Sequence, residues 1–142
     1  MNNQSILVDS NVLVYAINSS SPKQKQAQTF LQDNIGYLVL AQQNIFEVLR
    51  VLTHGKFPLP MSPDDAIKAV SAIAEVAYII NPELNTYHIA LSLIQKYKIT
   101  DNKIFDAYLS ATAISSGINT IATDNDKDFE QIKEIRVINP FI

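Results

Sequence analysis

The chain has 142 residues, 47% of them hydrophobic and 18% charged, with a formal net charge of −3; this is the balance of one globular domain with a substantial core, not of a disordered or fibrous chain. There is no cysteine, which excludes disulfides and thiolate metal sites, and the two histidines, His54 and His88, lie far apart, a poor start for a zinc site. The negative charge weighs against a nucleic-acid partner held by phosphate contacts alone, since those need a basic surface.

Ile6-Leu7-Val8 is a short apolar run ending at Asp9 and reads as a buried strand. Asp9 breaks the continuity a signal peptide needs, no basic leader precedes it, and no later stretch approaches the roughly 20 apolar residues of a membrane span. No membrane association is expected, and the cytosol is the expected location. Asn11 to Ile17 is apolar enough for a short helix. Ser21-Pro22-Lys23-Gln24 has a capping serine, a first-turn proline and a glutamine at the capping-box position. The helix it predicts carries Ala27, Phe30, Leu31 and Ile35 on one face and ends near Gly36. Tyr37 to Leu40 is the second strand.

Gln42 to His54 is helical in period, with Ile45, Val48, Leu49 and Leu52 on one side and Gly55 as the stop. After a proline-containing loop, Ser62-Pro63-Asp64-Asp65 opens another capped helix. Tyr78-Ile79-Ile80 is a short strand. Asn85 to Lys98 is amphipathic through Ile89, Leu93 and Ile94, and Ile104 to Ser115, almost all apolar or small, predicts a buried helix ending at Gly117. Thr120-Ala122 is a strand, followed by the polar run Asp124 to Asp128, and Arg136-Val137-Ile138 is a last edge strand. Short apolar strands alternating with helices predict a parallel sheet covered on both faces, a single three-layer α/β domain spanning residues 1–142.

The acids are placed unusually. Glu47 sits in Asn44-Ile45-Phe46-Glu47-Val48-Leu49 and Asp106 in Ile104-Phe105-Asp106-Ala107-Tyr108-Leu109, each flanked by apolar residues within a helix. A buried carboxylate costs several kcal/mol unless it is paired, neutralised or bound to a cation. Asp9 and the Asp124–Asp128 run follow strands, and ligands of open parallel sheets bind beyond the carboxyl ends of the strands. These acids can therefore converge on one edge. Oxygen ligands without histidine or cysteine suit a hard cation such as Mg²⁺ or Mn²⁺, which offsets charge on a phosphoryl transition state. Setting aside Asp9, Glu47, Asp106, Asp124 and Asp126 leaves nine acids against eleven bases, so the rest of the surface need not repel a polyanion.

Each acid also has an ordinary explanation. Asp9 can cap the helix behind it. Glu47 can pair with Arg50 and Asp106 with Lys103, surface pairs worth tenths of a kcal/mol, and the late acidic run can be a solvated turn. His54 reads as a helix C-terminal residue and His88 as structural. Four independent coincidences would be needed, however, to remove the joint pattern.

Leu7-Val8-Asp9-Ser10-Asn11-Val12-Leu13-Val14-Tyr15-Ala16, the helix acid in Asn44-Ile45-Phe46-Glu47-Val48, Asp106-Ala107-Tyr108-Leu109-Ser110-Ala111-Thr112-Ala113 and Thr123-Asp124-Asn125-Asp126-Lys127-Asp128-Phe129 together resemble the PIN-domain nucleases, most closely the VapC-type toxins of toxin–antitoxin pairs. The resemblance covers essentially the whole chain. It implies an α/β/α fold around a parallel sheet of four or five strands, and a metal-dependent endoribonuclease that uses Mg²⁺ or Mn²⁺ on RNA. It also implies a homodimer and a cognate antitoxin partner. By matching position it makes Asp9, Glu47 and Asp106 the first three site acids, with Asn11, Thr123 and Asn125 as supporting polar residues. The fourth acid stays open: counting back from Phe129 favours Asp126 and counting forward from Thr123 favours Asp124, with Asp126 ahead and Asp128 assigned to the following turn. Lys23, Lys25, Arg50, Lys56 and Lys103 are candidates for RNA contacts by charge alone.

Three other classes compete, and an aspartyl-nucleophile phosphatase, the first, needs a second aspartate two residues after Asp9, where Asn11 stands. A signalling receiver needs two adjacent acids after its first strand, and Ser10 and Asn11 follow Asp9 instead. A PIN-like RNA- or protein-binding module without catalysis is the third, and the filled acid positions argue against it.

Overall fold

The computed structural model describes residues 4–142; the first three positions of the single-domain reading lie outside the described residues. Five strands form one all-parallel sheet: β1 (Ile6–Val8), β2 (Leu38–Ala41), β3 (Tyr78–Ile80), β4 (Thr120–Ala122) and β5 (Arg136–Ile138), in the order β3-β2-β1-β4-β5. The helices are α1 (Ser10–Ile17), α2 (Gln24–Asp33), α3 (Gln42–Thr53), α4 (Pro63–Ala74), α5 (Thr86–Tyr97), α6 (Lys103–Ser115) and the single turn α7 (Asp126–Phe129).

The period-two alternation of the strands builds two cores from one sheet. Val8, Leu38 and Leu40 face the side covered by α1 to α4, where Val12, Leu13, Ala27, Leu31, Val48, Leu52, Ala66 and Val70 are buried. Leu7, Val39, Ala41, Ile80 and Ile121 face the other side, packed by Ala90 and Leu93 of α5, Ala107 to Ala113 of α6 and Phe129 of α7. This is the three-layer α/β/α arrangement. Each fully buried leucine or isoleucine contributes about 1.5–3 kcal/mol by leaving water, which is why strands of three or four residues suffice.

Several local expectations differ from the outcome. The helix after Ser21 starts at Gln24, because Ser21 Oγ accepts from the Lys23 backbone N–H at 3.1 Å and the Gln24 side chain donates to the Ala16 carbonyl at 3.3 Å instead of closing a capping box. Ser62 does cap α4, accepting from the Asp65 N–H at 3.1 Å with Pro63 in the first turn. The second strand begins one residue late, leaving Tyr37 exposed. Ile104 and Phe105, expected inside, are exposed at the first turn of α6. The acidic run expected as a turn contains α7.

The strand order places the site. The chain leaves β1 for β2 on one side, whereas β4 joins β1 on the other, so the sheet changes winding direction between β1 and β4. At such a point the loops after two adjacent strands part and leave a crevice at their carboxyl ends. Asp9 and Thr123 are the residues that follow these two strands.

Candidate active site

Asp9 is the centre of the arrangement. Its backbone N–H donates to the Ala122 carbonyl at 2.9 Å, extending the β1–β4 ladder by one step, and its side chain caps α1, Oδ1 accepting from the Ser10 N–H at 2.8 Å. Oδ2 accepts from Thr123 Oγ1 at 2.8 Å. Asn11 holds both neighbours, donating through Nδ2 to Thr123 Oγ1 at 3.1 Å and accepting the Asp124 backbone N–H at 3.1 Å. The Asn125 N–H donates to Thr123 Oγ1 at 3.0 Å, so Asn125 supports the site through its backbone while its side chain does not cap α7.

One turn of α3 supplies the opposite wall. Asn44 and Glu47, three residues apart, share a helix face, and Ser10 links them to α1: Ser10 Oγ donates to Glu47 Oε1 at 3.0 Å and accepts from Asn44 Nδ2 at 3.1 Å. Asn44 is fully buried, and its carbonyl oxygen has no hydrogen-bond partner. Ser10 and Asn44 thus tie two acids together, a role the sequence reading did not assign them. A buried asparagine three residues before an apolar-flanked glutamate was the available signal.

Asp106 comes from the first turn of α6 and is partly buried. Its carboxyl is pushed up to about 7, first by burial and then by the negative charges of Asp128, Asp9 and Glu47, with Lys103 opposing. Asp9 is raised as well, by burial and by Glu47, against the hydrogen bonds from Thr123 and Ser10. Asp9, Glu47 and Asp106, far apart in sequence, therefore share one electrostatic space.

The late acids fall otherwise than expected. Asp124 turns away: its Oδ2 accepts from Lys23 Nζ at 2.5 Å and from the Tyr15 hydroxyl at 3.1 Å, and the lysine holds its carboxyl below the usual range. Asp126 Oδ1 accepts from Asn139 Nδ2 at 3.3 Å. Asp128 is the carboxylate that acts most strongly on Asp106. The preference for Asp126 over Asp124 thus meets a geometry in which both have partners elsewhere, while Asp128 is close enough for its charge to act on Asp106. These three acids are spread over α7 and the residues before it, and the single turn of α7 seats Phe129 in the core beside α6.

The donor set is all oxygen, with a buried, partnerless carbonyl beside it, which fits a hard cation. Among the described residues no three acid, histidine or cysteine side chains close into a ready-made ion cage. An ion that keeps several waters and takes one or two carboxylates, the habit of Mg²⁺, would not need such a cage.

Residues 6–135 match the sequence model of the PIN domain, and the chain belongs to that family. It is 28% identical over 129 residues to Ribonuclease VapC37 of Mycobacterium tuberculosis, covering 84% of this chain and 88% of that protein. Among solved structures it is similar to a toxin–antitoxin complex from Klebsiella pneumoniae, with a TM-score of 0.68 at 22% identity, covering 96% of this chain and 98% of that one. It is also similar to VapBC2 from Rickettsia felis bound to a promoter DNA fragment, with a TM-score of 0.73 at 16% identity, covering 94% and 97%.

Proposed function

We propose that this PIN-domain protein is a divalent-metal-dependent endoribonuclease of the VapC type, the toxin of a type II toxin–antitoxin pair. In this reading it hydrolyses RNA phosphodiester bonds with Mg²⁺ or Mn²⁺, acts in the cytoplasm as a homodimer, and is silenced by a cognate antitoxin protein. The observation that carries it is the position of Asp106, whose carboxyl is pushed up to about 7 first by burial and then by three neighbouring carboxylates, with Lys103 opposing. A protein that keeps such repulsion gains from it when a cation enters. The ribonuclease name of the M. tuberculosis relative and the antitoxin-bound state of the K. pneumoniae neighbour support the substrate and the partner.

Asp9 and Asp106 would hold the cation, and Asp128, whose charge acts on Asp106, would add to the negative field that draws it in. When bound, it supplies charge stabilisation for the phosphoryl transition state and acidifies water. Thr123 and the Ser10 N–H each hold one Asp9 oxygen at 2.8 Å and fix the carboxylate plane, and the longer contacts from Asn44 at 3.4 Å and from Asn11 and the Ser10 hydroxyl at 3.5 Å are the ones a cation would displace. Ser10 orients Glu47, which either joins a second ion or accepts at Oε the proton of the attacking water. In-line attack then breaks the P–O3′ bond, leaving a 5′-phosphate and a 3′-hydroxyl that takes up a proton.

The test is cleavage of labelled single-stranded and structured RNA with Mg²⁺ or Mn²⁺, with and without chelator, by the wild type, Asp9→Asn and Asp106→Asn. Cleavage that needs the cation and falls by more than about a hundredfold in both variants is expected, beyond the tens-fold that outer partners of metal ligands cost. Chelator-resistant cleavage, or full activity in both variants, refutes the mechanism. Expression that arrests growth, with Asp9→Asn relieving the arrest, is the expected outcome for a toxin.

A further inference from the structure

Asp124 carries a constellation that the proposed chemistry does not use. Its carboxylate, 17% exposed, is paired with Lys23, whose ammonium also lies 5.0 Å above the Tyr15 ring and 5.2 Å from the Phe141 ring. Tyr15 and Phe141 meet edge to face at 5.2 Å. Lys23 itself is pinned: its N–H donates to Ser21 Oγ, and its carbonyl accepts the Ala27 N–H at 3.0 Å, in the first turn of α2. Four separate segments thus meet on one cation: α1, the turn before α2, the loop after β4 and the tail after β5.

From there a chain of hydrogen bonds runs inward. The Asp124 N–H binds Asn11 Oδ1, Asn11 Nδ2 binds Thr123 Oγ1, and Thr123 Oγ1 donates to Asp9 Oδ2. From the other side the tail residue Asn139 reaches the Asp124 carbonyl at 3.5 Å and Asp126 Oδ1 at 3.3 Å. We infer that Lys23 is a positioning residue for the acid cluster: its ion pair with Asp124 fixes the loop between β4 and α7, and so sets how Thr123 holds Asp9 and how Asp128 faces Asp106. Lys23 does not meet the substrate. Its ammonium is committed to Asp124 and two aromatic rings, whereas a phosphate contact needs a cation free to exchange partners. The kinetic consequence rests on the nuclease reading; the structural one does not.

The experiment compares Lys23→Met, Asp124→Asn, their combination and Lys23→Arg with Lys96→Met. The last removes a comparable cation, paired with Glu134 and stacked over Tyr97, outside the cluster. In chelator, Lys23→Met and Asp124→Asn are expected to shift the Asn11 side-chain amide and Asn125 backbone amide NMR signals alike, and Lys96→Met to leave them in place. With cation and RNA, both are expected to lower kcat by about tenfold, the effect of outer partners of metal ligands. KM should stay within about twofold, the combination should be no worse than either single change, as for members of one network, and Lys23→Arg should restore most of kcat. Unmoved amide signals overturn the inference whether or not RNA is cleaved, and so does a rise in KM at constant kcat, the mark of direct RNA contact. Should the wild type cleave no RNA, the nuclease reading falls and the amide signals alone decide the role of Lys23. Asp124→Asn carries the same test if Lys23→Met does not fold.

Discussion

Asp106→Asn is expected to make the cation-free protein more stable while destroying its activity. The carboxyl moves from about 3.9 in an unfolded chain to about 7 in the fold. Between those values the unfolded chain is ionised and the folded one holds a proton, so stability falls as pH rises across this window and levels off above it. At about 1.4 kcal/mol per pH unit the full span is about 4 kcal/mol. The side chain is only partly buried, so solvent screening cuts this to about 2 kcal/mol. Asparagine keeps the shape and cannot ionise. The variant should therefore melt about 6 °C above the wild type at pH 8 in chelator, at about 3 °C per kcal/mol for a domain of this size, and with it at pH 4. Adding Mg²⁺ at pH 8 should raise the wild-type melting temperature more than that of the variant, because the ion binds the fold through the charge that the variant lacks. Equal melting temperatures at pH 8, or a gain of the same size at pH 4, would refute the argument that burial and neighbouring charges make an ionised Asp106 costly to the fold.

Asp128→Asn should reduce RNA cleavage by at least about tenfold and Asp126→Asn by no more than a few-fold, a comparison of initial rates that decides which late acid serves the cluster. Thr123→Val removes the hydroxyl that donates to Asp9 Oδ2 and should cost about 1–3 kcal/mol in urea denaturation, as a buried acceptor loses its donor. Ser62→Ala removes the cap of α4 and should cost about 1 kcal/mol with cleavage rates unchanged, since that helix end contributes nothing to the acids.

The acids most legible in the sequence were those that break an apolar pattern. Glu47 and Asp106 stand in helices whose neighbours demand burial, and Asp9 ends the one run that must be a central strand. The late acids were not separable in the sequence, because three of them alternate through residues 124–128 and composition cannot say which one stands nearest Asp106. In the fold Asp124 pairs with Lys23, Asp126 meets Asn139, and Asp128 is the late acid whose charge acts on Asp106. The strands were legible from their apolar runs, but their order was not, since pairing between β1 and β4 joins residues more than a hundred positions apart. Ser21 to Gln24 has the residue types of a capping box and forms none, because the Ala16 carbonyl competes for the glutamine amide. Ile104 and Phe105 fit a buried helix by type, yet the first turn of α6 extends past the core that covers its remainder.

The placement of β4 beside β1 bears on how the protein is made. Thr123, the partner of Asp9 across the sheet, is made 114 residues after it. Strands β1 and β2 are close enough in sequence to pair first, at a lower loop-closure cost. Until β4 docks, Asp9 lacks its hydrogen bond from Thr123, and a half-synthesised chain carries the first acids without their final geometry.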